Sequence, residues 1–203
     1  MRIRGVLRRG TVLAVLALAV AAAAIAPAQA AGGCPAAALS KPFSPWLDLA
    51  SYTAVQNGGF ESGAAGWTLA GGAAVTAGNE PFQVGSAADS SSLSLPAGSQ
   101  ATSPPSCVGL LDPTLRFFAR GSLLSTLRVD VVFTDVHGLQ RTVPVGVVLG
   151  TGAWQPTLPL LLLANLNALP LLSDGQTTVA VRFTPTGGAW RIDDVYIDPL
   201  KGS

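Results

Sequence analysis

Residues 127–149, LRVDVVFTDVHGLQRTVPVGVVL, decide the fold. Leu127, Val129, Val131 and Phe133 alternate with Arg128, Asp130, Val132 and Thr134. That two-residue period belongs to a strand with one face in a core and the other toward water. Asp135 to Gly138 supplies turn residues and Thr142 to Leu149 runs back, so the stretch predicts an antiparallel hairpin. Upstream, Thr114 to Arg120 sets Leu115, Phe117 and Ala119 against Arg116, Phe118 and Arg120. Downstream, Thr178 to Thr184 places Val179, Val181 and Phe183 opposite Arg182, and Trp190 to Ile197 closes the pattern. Ala73 to Thr76 and Ser92 to Leu95 are shorter alternating runs separated by a Gly/Ser/Asp-rich loop. Many short strands with turn residues between them argue an all-β chain, an antiparallel β-sandwich rather than a parallel α/β sheet.

The two ends differ from this body. Arg2, Arg4, Arg8 and Arg9 precede an apolar run of 14 residues from Val12 to Ile25, and Ala28 and Ala30 follow as small residues. This is the pattern of an export signal over residues 1–30. The run falls short of the roughly 20 residues that span a bilayer. The leucine-rich stretch 158–172 is interrupted by Pro159, Asn165, Asn167 and Pro170, so no membrane span is expected there. Loss of residues 1–30 leaves eight basic against eleven acidic residues, a net charge of −3. A mildly acidic domain without a Lys/Arg cluster has no footprint for nucleic acid or an anionic membrane.

Residues 31–53 form an irregular arm in which Pro35, Pro42 and Pro45 flank Phe43 and Trp46, whose rings are expected to pack on the sandwich of residues 54–203. A single helical turn is expected around Trp46. The chain has two cysteines, Cys34 and Cys107, and in an oxidising compartment the simplest reading is a disulfide. A competing reading takes Ala31-Gly32-Gly33-Cys34 as a lipoprotein cleavage box with Cys34 acylated. Residues 158–172 are expected to be a long hydrophobic connection, with a helical turn, that covers one end of the core.

Asn57-Gly58-Gly59-Phe60-Glu61 is expected to be a turn running into a strand, with Gly58 and Gly59 supplying positive φ. Gly66-Trp67 follows, and Trp190-Arg191-Ile192-Asp193-Asp194-Val195-Tyr196-Ile197 stands at the far end. The pairing resembles the galactose-binding-like jelly rolls, especially secreted carbohydrate-binding modules that open with N-G-x-F-E…G-W and end with I-D-D-V. The resemblance covers roughly residues 54–198, with its motifs at the two ends and only a strand pattern between them. It implies a jelly roll whose first and last strands lie side by side. It also implies a structural calcium held by Glu61 and Asp194, with Asp193 as a further candidate. Calcium takes about six to eight oxygen ligands in flexible geometry, which strand-end carboxylates and loop carbonyls can supply. Trp67 and Trp190 are read as core residues.

Enzyme chemistry finds little support. His137 is the sole histidine and sits at a hairpin tip, no His/Cys cluster has transition-metal spacing, and no Gly-rich loop leads into a helix to cradle phosphate. Glu61, Glu80, Asp130 and Asp193 are available as a carboxylate pair for glycoside hydrolysis, but eleven acids make some close pair expected by chance. The reading is a non-catalytic binding module with two candidate partners, a glycan or an extracellular protein. Sugar rings stack on exposed aromatics while polar side chains hold their hydroxyls. The candidates are Trp154, Phe82 and Phe118 for stacking, with Asn79, Glu80, Arg116 and Gln155 as polar contacts. In the second reading, the leucine-rich 158–172 segment lies near the contact surface.

Overall fold

A computed structural model of the chain describes residues 34–36, 38–109, 113–162, 169–171 and 175–198. The export signal and both proposed cleavage points lie outside the described residues. The strands are β1 (Thr53–Ala54), β2 (Thr68–Ala70), β3 (Ala74–Ala77), β4 (Ser91–Leu95), β5 (Gln100–Thr102), β6 (Ser106–Val108) and β7 (Thr114–Gly121). They continue as β8 (Thr126–Thr134), β9 (Gln140–Leu149), β10 (Gln155–Pro156), β11 (Leu160–Leu161), β12 (Thr177–Gly187) and β13 (Trp190–Asp198). A seven-stranded sheet runs β10-β7-β13-β4-β3, with β1 added to β13 and β11 to β7. A six-stranded sheet runs β2-β5-β12-β8-β9, with β6 added to β12. The pairings within both sheets are antiparallel.

The core lies between the sheets and follows the alternation of the sequence. Leu115 and Phe117 of β7, Leu127, Val129, Val131 and Phe133 of β8, and Val179, Val181 and Phe183 of β12 are buried there. Trp67 and Trp190 join the same core, as expected. The predicted hairpin is β8–β9. Its turn is closed by Gly138 donating to the Asp135 carbonyl at 2.9 Å, and the Asp135 carboxylate accepts from the backbone N–H groups of His137 and Leu139.

The first and last strands are neighbours, with Thr53 opposite Ile197 and Ala54 opposite Tyr196. β4 pairs with the other half of β13, from Trp190 to Ile192. Between these two partners the register of β13 against β7 shifts, between Asp193 and Tyr196. Asp194 there adopts φ 47°, so the strand bulges where neither edge partner reaches it.

The Asn57–Glu61 stretch departs from expectation. The chain stays in turns until β2, and Asn57 (φ 53°) and Phe60 (φ 60°) take the left-handed conformations assigned above to Gly58 and Gly59. The Asn57 amide donates to the carbonyls of Gly63 and Ala65, and its oxygen accepts from the Ser62 N–H, which stabilises the turn. Gly58 serves close approach instead: a Cβ there would lie 2.7 Å from the Val195 carbonyl oxygen. Gly58→Ala is therefore expected to destabilise the domain by roughly 1–3 kcal/mol, read as a lower urea midpoint. An unchanged midpoint would show that the β13 backbone yields at no cost.

Cys34 and Cys107 form the disulfide, which removes Cys34 as an acylation site in this structure. The arm contains a 3-10 turn at Ser44–Trp46, and a bridge joins Ser40 to Tyr52. In the leucine-rich connection, Leu160–Leu161 pairs with β7, and Leu162 and Leu169 enter the core. No helical turn occurs among the described residues of this connection; residues 163–168 and 172 lie outside the described set.

Candidate functional site

The aromatic stacking candidates and Arg116 gather on the outer face of the seven-stranded sheet. β7 turns Phe118 and Arg116 outward, and β13 adds Tyr196. The arm then lays Phe43 and Tyr52 over them, making a second apolar cluster separate from the core. Phe43 stacks on Phe118 with centroids 5.4 Å apart, and it meets Tyr52 and Tyr196 edge-on. The Arg116 guanidinium sits 4.2 Å from the Phe43 ring centroid, pairs with Asp48 and donates to the Thr157 carbonyl.

This covering corrects two sequence expectations. Phe118 is fully buried and Arg116 is 5% exposed, so neither presents a surface to a ligand. The alternation marks them as facing away from the core but does not reveal that the arm roofs that face. Glu80 is corrected for a different reason. It is 1% exposed, and its carboxylate accepts from the backbone N–H groups of Phe82 and Val84, shaping its own loop. The Asn79 side chain is likewise turned inward, with both amide atoms buried and lacking a hydrogen-bond partner among the described residues.

Three aromatics at the margin of the cluster remain reachable. Phe82 is 43% exposed and lies 5.0 Å from Trp46 and 5.6 Å from Phe118. Trp46 and Trp154 are half-buried against the same cluster. The Arg191 guanidinium stands 5.9 Å from the Trp154 ring, and Gln155 beside it is exposed. Trp46 belongs to this strip although the sequence reading treated it only as arm packing.

Beneath the strip, the bulge of β13 meets the 79–90 loop in a cluster of acids. Asp193 accepts from the Glu80 N–H at 3.0 Å and from the Asp194 N–H at 2.9 Å. Asp194 accepts from the Gly85 N–H at 3.2 Å. A Cβ on Gly85 would meet Asp194 Oδ1 at 2.8 Å and Asp89 Oδ2 at 2.5 Å, so both carboxylates converge on the space this glycine leaves free. Glu80, Asp193 and Asp194 are all buried. Burial pushes the Asp193 carboxyl up to about 8, against the lowering effect of the Glu80 N–H, with the Asp194 and Glu80 charges adding to the rise. Burial likewise pushes Asp194 up to about 6, opposed by the Gly85 N–H and reinforced by Glu80 and Asp89. Asp89 is raised by burial and by Glu61.

These groups suit a hard cation in charge and donor type, because buried carboxylates accumulate without a basic partner among the described ion pairs. Their convergence is incomplete: among the described residues, no three His, Cys, Asp or Glu side chains form a metal-ligand group. Glu61 is exposed and directs its carboxylate to the N–H groups of Ser90 and Ser91 at 2.9 and 2.7 Å. Glu80 and Asp89 escaped the sequence reading of this cluster, since only the path of the 79–90 loop across β13 brings them to it.

No family model matches the sequence, and no curated protein matches it. Solved structures do. The CBM22-1–GH10 modules of the Clostridium thermocellum endo-1,4-β-D-xylanase 10B, complexed with xylohexaose, align at 15% identity and TM-score 0.51, over 73% of this chain and 29% of that one. The CBM22-1–CBM22-2 tandem domain of Paenibacillus barcinonensis Xyn10C aligns at 17% identity and TM-score 0.49, over 76% of this chain and 46% of that one. TmCBM61 in complex with β-1,4-galactotriose aligns at 17% identity and TM-score 0.41, over 70% of this chain and 95% of that one. The chain thus spans under a third of the xylanase chain that it matches. Two antiparallel sheets, adjacent first and last strands and the likeness to the CBM22-1–GH10 structure give the domain a jelly-roll fold.

Proposed function

We propose that the domain is an exported, non-catalytic module that binds glycan on the aromatic strip of Trp46, Phe82 and Trp154. The observation that carries this reading is partial exposure: Phe82 is exposed and Trp46 and Trp154 are half-buried, while Phe43, Tyr52, Phe118 and Tyr196 of the same cluster are buried. A pyranose ring stacks its C–H face on such aromatics, and Gln155 and the Arg191 guanidinium flank Trp154 to take hydroxyl groups. Export is supported by the Arg-rich, apolar leader and by the disulfide. A calcium held by Asp193, Asp194, Glu80 and Asp89 would neutralise the acidic cluster and brace the 79–90 loop that carries Phe82.

The test is a glycan array and an insoluble-polysaccharide pull-down with residues 31–203, alongside Phe82→Ala and Trp154→Ala variants. Each truncation is expected to weaken binding roughly tenfold, equivalent to about 1.4 kcal/mol. Retention of no glycan would transfer the reading to recognition of an extracellular protein.

A second face is favoured by one observation. Arg182 on the outer side of the six-stranded sheet donates to Thr102 at 3.2 Å and Thr142 at 3.5 Å, and it has no ion pair within 4 Å among the described residues. Binding that survives both aromatic truncations and is lost in Arg182→Ala places the glycan there instead.

A further inference from the structure

Two arginines stand side by side on the outer face of the seven-stranded sheet with no acid to pair them. Arg120 of β7 and Arg191 of β13 are register partners, facing away from the core that Ala119, Trp190 and Ile192 enter. Like charges directly opposite each other on one sheet face repel. Three other arginines meet carboxylates: Arg116 pairs with Asp48, Arg128 with Asp130 and Arg141 with Asp135. Arg120 and Arg191 have no ion pair among the described residues, although acids outnumber bases eleven to eight beyond residue 30. The acids of the β13 bulge do not neutralise them. Glu80, Asp193 and Asp194 are buried and turn their carboxylates to backbone N–H groups.

The two guanidinium groups differ in freedom. Arg191 is fixed: its Nη2 donates to the Ala77 and Gly78 carbonyls at 2.7 and 2.8 Å. It also donates to the hydroxyls of Thr76 and Ser92 at 3.2 and 2.6 Å. All four acceptors are neutral, so its charge stays uncompensated. Arg120 is exposed and, among the described residues, bonds only through Nε, to the Gly152 carbonyl at 3.3 Å. Both of its Nη groups are left for a further acceptor. Trp154 completes the site. Gln155, the next residue, stands opposite Ala119, which brings Trp154 to the level of Arg120. The Trp154 ring lies 5.9 Å from the Arg191 guanidinium.

We infer that the glycan bound at this end of the strip is a uronate, its ring on Trp154 and its carboxylate on the free fork of Arg120, beside Arg191. This rests on the glycan reading above and narrows it to a ligand class. A uronic acid offers a C–H face for stacking and carries its carboxylate at the ring edge. The planar guanidinium fork matches a carboxylate with two parallel charge-assisted hydrogen bonds, which a neutral hydroxyl cannot accept. The bound anion also relieves the repulsion between Arg120 and Arg191. Charge and shape therefore select the same ligand.

The experiment titrates residues 31–203 calorimetrically with hexagalacturonate, with its methyl ester and with xylohexaose. The ester keeps the rings and removes the charge. The acid is expected to bind about tenfold or more tightly than the ester, and the difference to shrink in about 0.5 M salt. Arg120→Gln is expected to raise the acid's Kd to that of the ester. Arg120→Lys, which keeps the charge and loses the fork, is expected to retain part of the preference. Because Arg120 is exposed, neither variant is expected to shift the melting temperature by more than about 2 °C. Equal binding of acid and ester overturns this inference and leaves the glycan reading standing, as does binding of xylohexaose alone. A full preference for the acid in Arg120→Gln overturns the site. Tighter binding of a sulfated galactan than of hexagalacturonate overturns the uronate in favour of a sulfate ester. Failure of every probe here and on the glycan array overturns both readings.

Discussion

In chelator-treated protein, raising the pH from about 5 to about 9 is expected to lower the melting temperature by roughly 10–20 °C. The cause is the Asp193 carboxyl, raised to about 8 from an ordinary value of 3.8. A carboxyl whose pKa is higher in the folded state binds its proton more tightly there. Its contribution to stability is therefore complete below the unfolded value and is lost as the pH climbs through the folded one. For Asp193 that loss is on the order of 5 kcal/mol, spread between about pH 4 and pH 8. Asp194, raised to about 6, adds in the same direction over the lower part of that range. Asp193→Asn is expected to flatten the profile, because the amide stays neutral. Calcium is expected to flatten it differently, by stabilising the ionised cluster at high pH. A chelated protein whose melting temperature is level from pH 5 to pH 9 would show that Asp193 is ionised throughout. A calcium-independent profile would remove the ion from the account.

The second large effect concerns the disulfide. Cys34 and Cys107 are separated by 73 positions, and the closure of such a loop removes freedom from the unfolded chain. By the chain-entropy account, the paired substitution of both cysteines by serine is expected to cost about 4 kcal/mol in urea unfolding. Replacing both avoids leaving a single reactive thiol. The arm's own packing, with Phe43 buried in the aromatic cluster, should persist in the folded variant. A loss under about 1 kcal/mol would mean that the unfolded chain already keeps those ends close.

The legible parts of the fold were those governed by local alternation. The β8–β9 hairpin, β7 and β12 follow from residues whose neighbours two positions away share their environment. The disulfide followed from cysteine count and compartment. Other features depended on what a distant segment does. Phe118 and Arg116 look solvent-facing by phase, and only the arm's placement of Phe43 makes them interior. Glu80 looked like a ligand-facing residue of a loop, yet that loop folds it against Asp193, which is 113 positions away. Gly58 was assigned a dihedral role because glycine so often has one; its actual constraint is the nearness of Val195. Trp46 was visible as an aromatic, but not as a member of the exposed strip, because no local pattern ties it to Phe82.

The position of β13 has a consequence for how the chain must be made. It is the last described strand, yet it sits at the middle of the seven-stranded sheet, holding β7 on one side and both β4 and β1 on the other. A nascent chain halted before Trp190 has β1, β4 and β7 without the strand that joins them. It also lacks the core residue Trp190 and the Asp193–Asp194 bulge. Native assembly of that sheet is therefore deferred until β13 has been made, and closing such distant pairings is intrinsically slow. Until then β1, β4 and β7 remain strands without the neighbour that joins them.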